Sequence, residues 1–91
     1  MRVRFETTPC LAELTGHHAL DVDVSGGDRV ADALRAFAAA VTGKGRDRIV
    51  VDGTLHPSVL VVLGDAPCTR PAETSLEGGE TIRLMLPVTG G

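Results

Sequence analysis

The sequence predicts an α+β domain in which one helix packs across one face of a mixed sheet. Three observations carry that expectation. Residues 2–7, 20–24 and 81–86 alternate apolar with polar side chains, the period of half-buried strands. Residues 30–41 carry a single apolar stripe at helical spacing. Between them, Val59 to Leu63 forms a short continuous apolar run of strand length. Burying such stripes against one another takes two layers.

The elements follow in order. In the first strand Val3 and Phe5 share one face and Arg2, Arg4 and Glu6 the other. Thr8 to Ala19 contains Pro9, Gly16, His17 and His18 and is expected to be a connecting loop. In the second strand Leu20, Val22 and Val24 point inward, Asp21 and Asp23 outward. Asp28 is the expected helix N-cap, because its carboxylate can accept from an unpaired first-turn amide. Val30, Leu34, Phe37, Ala38 and Val41 then line one helix face, and Gly43 is the expected stop, with Lys44 and Arg46 near the negative end of the dipole. Ile49-Val50-Val51 suits a short strand before a turn at Asp52-Gly53. Gly64-Asp65 suits a tight hairpin turn, and Pro67 to Glu80 reads as irregular. The final strand places Ile82, Leu84 and Leu86 inward and Thr81, Arg83 and Met85 outward. The expected core is Val3, Phe5, Leu20, Val22, Val24, Val30, Leu34, Phe37, Val41, Val59, Val61, Leu63, Ile82, Leu84 and Leu86.

Composition narrows the function. At 91 residues the chain is one domain, and 43% hydrophobic content is enough for one core. The net charge of −3 and the scattered cations argue against nucleic acid, which needs a basic face. With Phe5 and Phe37 as the only aromatics, stacking platforms for single strands are also missing. No targeting segment is visible, and no apolar run approaches the ~18 residues of a membrane span. A cytoplasmic location, with Cys10 and Cys68 as thiols, is the expectation.

Single residues invite weaker readings. His17 and His18 are adjacent, a poor geometry for chelating one ion, and are read as solvated loop residues, so no metal is expected. His56, beside Pro57, belongs to a turn. Cys10 is expected to be semi-buried, and Cys68 to lie in a loop with no cation cluster to activate it. Arg2, Arg4 and Arg83 are expected near Asp21 and Asp23 on the outward face. Leu60, Val62 and Met85 share that outward parity, open either to a partner or to cover by the irregular stretch.

After the last strand comes Pro87-Val88-Thr89-Gly90-Gly91, expected as an extended arm on a 1–86 domain. Pro87 cannot donate to a ladder, and five extended residues reach roughly 16–18 Å. Glycines thread narrow channels because they lack a Cβ. The ending Leu86-Pro87-Val88-Thr89-Gly90-Gly91, placed after this order of elements, resembles the MoaD/ThiS family of sulfur carriers. Supporting segments are Leu11-Ala12-Glu13-Leu14-Thr15-Gly16, Asp28 to Leu34, Asp52 to Val59 and Leu76 to Ile82. Leu63-Gly64-Asp65-Ala66-Pro67-Cys68 departs from the family, where many members place Asn before Gly. The longer middle segment is closer to MoaD-like and cysteine-pathway carriers than to minimal ThiS-like ones.

The resemblance implies a ubiquitin-like β-grasp fold, with four to five strands in a mixed sheet and one main helix. It implies that the chain is no enzyme but a protein co-substrate that binds no cofactor itself. An adenylating, ubiquitin-activating-like enzyme would use ATP and Mg to join Gly91 to AMP. Sulfide or a protein persulfide would then give a C-terminal thiocarboxylate, delivered to a sulfur-accepting synthase. The acceptor pathway could be molybdopterin, cysteine, thiamin or a sulfur-containing secondary metabolite. Pro87, Val88, Thr89 and Gly90 would be read by the enzyme as the tail, and Leu60, Val62, Arg83 and Met85 would form the docking surface. Two alternatives stand beside this: a modifier joined to target lysines through Gly91, and a non-catalytic β-grasp interaction domain. Lys44 is the only lysine against eight arginines, which disfavours self-linked chains.

Overall fold

The computed structural model describes residues 1–41 and 46–86. In chain order the elements are β1 (Arg2–Thr7), α1 (Pro9–Thr15), β2 (Ala19–Asp23), α2 (Val30–Ala40), α3 (Arg46–Ile49), β3 (Val50–Val51), β4 (Thr54–Leu55), β5 (Leu60–Leu63), β6 (Ala66–Pro67) and β7 (Thr81–Met85). Five strands form one mixed sheet in the order β2-β1-β7-β5-β6, and β3 and β4 form a separate two-stranded ladder. β1 runs antiparallel to β2, with Val3 opposite Val22 and Phe5 opposite Leu20. It runs parallel to β7, and β5 is antiparallel to β7. The expected mixed sheet of four to five strands with a main helix is therefore the observed architecture.

Why β1 and β7 sit at the centre follows from their inward residues. Val3, Phe5, Ile82 and Leu84 are all fully buried, a demand that only strands flanked on both sides and covered by a helix can meet. α2 supplies that cover through Val30, Ala33, Leu34, Phe37 and Ala38. The Phe37 ring lies against Phe5, with centroids 4.5 Å apart and planes tilted by 30°. Eleven residues of the expected core are buried, and Leu20, Val61, Leu63 and Leu86 pack against it half-buried. Leu11, Ile49, Leu55 and Leu76 join the core from segments with no long periodic signal.

The stretch expected as a loop after β1 instead holds α1. Thr8 is extended, Pro9 opens the helix and Gly16 closes it in the left-handed region at φ 83°, its N–H bonding to the Ala12 carbonyl at 2.8 Å. Proline at the start and glycine just past the end is the usual asymmetry of a short helix. Leu11, Ala12 and Thr15 are the face it buries. The Thr15 hydroxyl remains satisfied there, donating to the His17 carbonyl at 3.0 Å and accepting from the His17 N–H at 3.1 Å.

Asp28 is not the N-cap of α2. The cap position is Arg29, and the Asp32 carboxylate reaches back to accept its N–H at 3.0 Å. Asp28 instead gives its carbonyl to the Leu76 N–H at 2.6 Å. The first helical amides, Val30 and Ala31, donate to the carbonyls of Thr74 and Pro71 at 2.9 and 3.0 Å. Backbone from the stretch after β6 thus does the work of a capping side chain, because it passes directly over the helix start. A Cβ at Gly27 would meet the Asp32 carboxylate, so a larger residue there would push that side chain from its bond to the Arg29 N–H. α2 ends at Ala40, earlier than the expected stop at Gly43, because Val41 turns extended with ψ 130° to bury its side chain. Gly43 and Lys44 lie outside the described residues.

The stretch read as irregular from Pro67 to Glu80 begins as β6. The Gly64-Asp65 turn brings Leu63 opposite Ala66, as the turn residues predicted, and continues the pairing to Val62 and Pro67. Proline is tolerated because β6 is an edge strand. The rest is a strap fastened to α2: Arg29 donates to the Ser75 hydroxyl at 2.6 Å, and Leu76 is buried.

The turn into β7 is held by Glu80, whose carboxylate accepts the N–H groups of Glu77 and Gly78, each at 2.7 Å. Partial burial pushes the Glu80 carboxyl upward, but hydrogen bonds from the Glu77, Gly78 and Glu80 amides outweigh it and hold it below its ordinary value of 4.5. In that window the unfolded chain binds more protons than the folded one, so stability rises with pH. The contribution is complete above about 4.5 and is lost as pH falls through the lower folded value. Glu80→Gln is expected to cost about 1 kcal/mol at pH 7, after allowing for solvent screening. It is also expected to flatten the acid limb of a plot of denaturation midpoint against pH.

Candidate tail and docking face

The residues of the expected tail, Pro87, Val88, Thr89, Gly90 and Gly91, lie outside the described residues. What the structure does place is the strand that leads to them. β7 is hydrogen-bonded on both sides, to β1 and to β5, and Leu86 beyond it packs against the core. The last described residues are therefore held, like β1, by a strand on either side.

Leu60, Val62, Arg83 and Met85 come together on one face of the sheet. Leu60 is opposite Met85 and Val62 opposite Arg83, while the intervening Val61 and Leu84 point to the core. Leu60 is 51% exposed, the most exposed of the large hydrophobic residues described. The strap after β6 is tied to the start of α2 and leaves Leu60 open.

The other half of this face is a ladder of charge. Arg2 pairs with Asp23 at 3.2 Å and Arg4 with Asp21 at 3.8 Å, across β1 and β2 as the sequence suggested. Arg83 does not reach either aspartate, because β1 lies between β7 and β2. It pairs with Glu6 at 3.4 Å, and Glu6 also holds Arg4 at 3.3 Å. Glu6 was not singled out from the sequence, although its outward parity on β1 was the available signal. The Asp23 carboxyl is pulled below its ordinary range by the hydrogen bond and charge of Arg2, whose own value is raised in return. Three anions against three cations leave the ladder neutral.

At the edge of the apolar half a groove of about 720 Å³ runs between β5, the strap and the start of α2, with Leu60 and Met85 among its lining residues. Cys68 also lines it, half-buried, its N–H bonded to the Val61 carbonyl at 2.8 Å. Cys10 is exposed rather than semi-buried, because α1 turns Leu11 and Ala12 inward instead. His56 sits in a turn, its Nδ1 accepting the Ser58 N–H at 3.0 Å. Among the described residues no group of three or more His, Cys, Asp or Glu could hold a metal ion. No described helix is long and apolar enough to cross a membrane.

An ordered sheet, a single large helix and an exposed apolar patch beside the last strand can be compared with solved structures. SAMP1 from Haloferax volcanii is 26% identical, covers the whole of both chains and superposes with a TM-score of 0.79. A molybdopterin converting factor subunit 1 from Pyrococcus furiosus, described as putative, gives a TM-score of 0.72 at 14% identity, covering 97% of this chain and 99% of that one. A chain of the Amycolatopsis orientalis BexX/CysO complex gives 0.70 at 21% identity, covering 98% and 99%. The chain is a ubiquitin-like β-grasp protein.

The two lower-identity likenesses speak to the β-grasp fold alone, and the first extends over the full length at higher identity. No family model matches the chain, and neither does any curated protein. The β-grasp fold that the sequence resemblance implied holds in three dimensions.

Proposed function

We propose that this chain is a sulfur carrier in which Gly91 supplies the reacting carboxyl. The observation that carries the reading is a Gly90-Gly91 pair five residues after the central strand β7, on a full-length β-grasp domain. A carboxylate is a poor acyl donor because its charge repels nucleophiles. In an adenylating partner enzyme the Gly91 carboxylate attacks the α-phosphorus of Mg-bound ATP, and pyrophosphate leaves. Hydrosulfide then attacks the acyl carbon of the mixed anhydride, AMP departs with the C–O bond, and a thiocarboxylate remains. Where the sulfur comes as a protein persulfide, the acyl disulfide formed first is cleaved by a thiol. A sulfur-accepting synthase takes the sulfur from the thiocarboxylate.

The carrier's share is recognition and positioning. Pro87 to Gly90 lead the carboxyl into the enzyme, while Leu60, Val62, Met85 and the Arg83 guanidinium seat the domain against it. Burying an exposed leucine of this size is worth about 1.5–3 kcal/mol. Leu60→Asp is therefore expected to raise the carrier's KM in ATP–pyrophosphate exchange about 10- to 100-fold at unchanged kcat. The denaturation midpoint should barely move, because Leu60 is 51% exposed. An unchanged KM would remove this face from the docking role.

A second reading is favoured by one likeness, the small archaeal modifier protein 1 of H. volcanii, 27% identical. In it the activated Gly91 acylates a target lysine. Incubation with an adenylating enzyme, Mg-ATP, sulfide and a lysine-bearing target separates the two: a modifier leaves higher-mass conjugates resistant to thiol, whereas a carrier leaves a thiocarboxylate. A plain interaction domain would support neither.

A further inference from the structure

The two outer strands of the sheet are unlike. β6 is two residues long and ends on Pro67, whose nitrogen cannot donate, so it offers little to a further strand. β2 has five residues and no proline. The hydrogen bonds of β1 fix which way the β2 backbone points. Arg4 donates to the Glu80 carbonyl at 3.0 Å and Arg2 accepts from the Gly79 N–H at 2.7 Å, so the even residues of β1 bond towards β7. Bonds to β2 fall to the odd ones: Met1 and Val24 exchange both of theirs, and Thr7 donates to the His18 carbonyl. The register carries the alternation through Val3–Val22 and Phe5–Leu20. Ala19, Asp21 and Asp23 therefore turn their N–H and C=O groups away from the sheet, where no described strand or loop bonds them.

Two side-chain features say what fits this edge. On the inner face Leu20 stays half-buried, although Phe5 opposite it is fully buried. Leu20 lacks the neighbour that one more strand would bring. On the outer face Asp21 and Asp23 form the last row of the charge ladder. Their side chains remain 49% and 75% exposed while paired with Arg4 and Arg2, and a carboxylate accepts more than one such bond. A row of anions next to a row of cations calls for cations on its other side. The same acids disfavour a second copy: antiparallel pairing of β2 with itself about Asp21 sets aspartate against aspartate, and like charges directly opposite are destabilising.

We propose that the outer edge of β2 binds an extended segment of a partner protein, with Arg or Lys at alternate positions beside Asp21 and Asp23 and an apolar residue against Leu20. The segment joins the sheet through the backbone of Ala19, Asp21 and Asp23. This edge lies three strand spacings, about 14 Å, from Leu60 on β5, so the two surfaces can be occupied together. The inference does not rest on the carrier reading.

Amide exchange measured by NMR on the whole protein tests it, with an end-blocked heptapeptide of alternating valine and arginine as the probe. At millimolar concentration the peptide is expected to slow exchange at the Ala19, Asp21 and Asp23 amides and to leave Leu20 and Val22, already bonded to β1, as they were. Methylating the backbone nitrogens of its arginines should abolish that protection, and a valine–glutamate peptide should give none. Replacing both acids, Asp21→Asn with Asp23→Asn, should weaken binding about 3- to 10-fold. Three results would overturn the proposal. One is no protection by the arginine peptide. Another is equal binding by its backbone-methylated form, which leaves charge attraction alone. The third is protection that grows with protein concentration without peptide, which assigns the edge to a second copy.

Discussion

A chain ending at Thr89 is expected to yield no acyl adenylate with an adenylating partner, and Gly90→Val to lower kcat/KM about 100-fold. The two variants fail for different reasons. The first presents its carboxyl two residues short, so a channel that grips the domain at Leu60, Val62 and Met85 cannot bring it to the α-phosphorus. The second keeps the length but puts a branched Cβ where the enzyme must close around the backbone. Misplacement of a reacting atom by about 1 Å already costs about 100-fold. Both variants keep the sequence of β7 and of every described core residue, so both are expected to denature at the parent midpoint. ATP–pyrophosphate exchange reads the loss directly. Retention of exchange by the shortened chain would remove Gly91 from the chemistry.

Phe37→Ala is expected to destabilise the domain by about 3–5 kcal/mol, read from the midpoint of urea denaturation. Phe37 is fully buried and packs on Phe5 at 4.5 Å, joining α2 to the central strand β1. Removing the ring leaves a cavity at the single place where helix and sheet meet through aromatics. A domain of this size commonly has roughly 5–14 kcal/mol in hand, so about a fifth or more of its stability would go. Phe37→Leu keeps most of the volume and should cost less, about 1–1.5 kcal/mol. A loss below about 1 kcal/mol for the alanine variant would mean that the helix is held elsewhere, most plainly by the strap at Arg29 and Leu76.

The strands β1, β2 and β7 and the helix α2 were legible because their apolar positions repeat at a fixed period over five residues or more. Leu60, Val62, Arg83 and Met85 could be put on one face for the same reason: parity along β5 and β7 needs no knowledge of what lies between. Elements whose definition is tertiary were not legible. α1 has seven residues, too few for a stripe to outweigh Pro9 and Gly16, although those two residues were its boundary signals. The start of α2 was misread at Asp28 because the capping carbonyls come from Thr74 and Pro71, some forty residues away in the chain. The pairing of Arg83 with Glu6 depended on strand order, which periodicity cannot supply. The groove depends on where the strap runs, and the strap follows the Arg29–Ser75 contact rather than any pattern of its own.

The most direct measurement is the intact mass of the protein after incubation with an adenylating enzyme, Mg-ATP and sulfide. The carrier reading predicts the exchange of one oxygen for one sulfur, found in the fragment that contains Gly91 and reversed by hydrolysis. A mass that stays unchanged while the enzyme adenylates another carrier would contradict it, and so would a sulfur that maps to Cys68 or Cys10 instead.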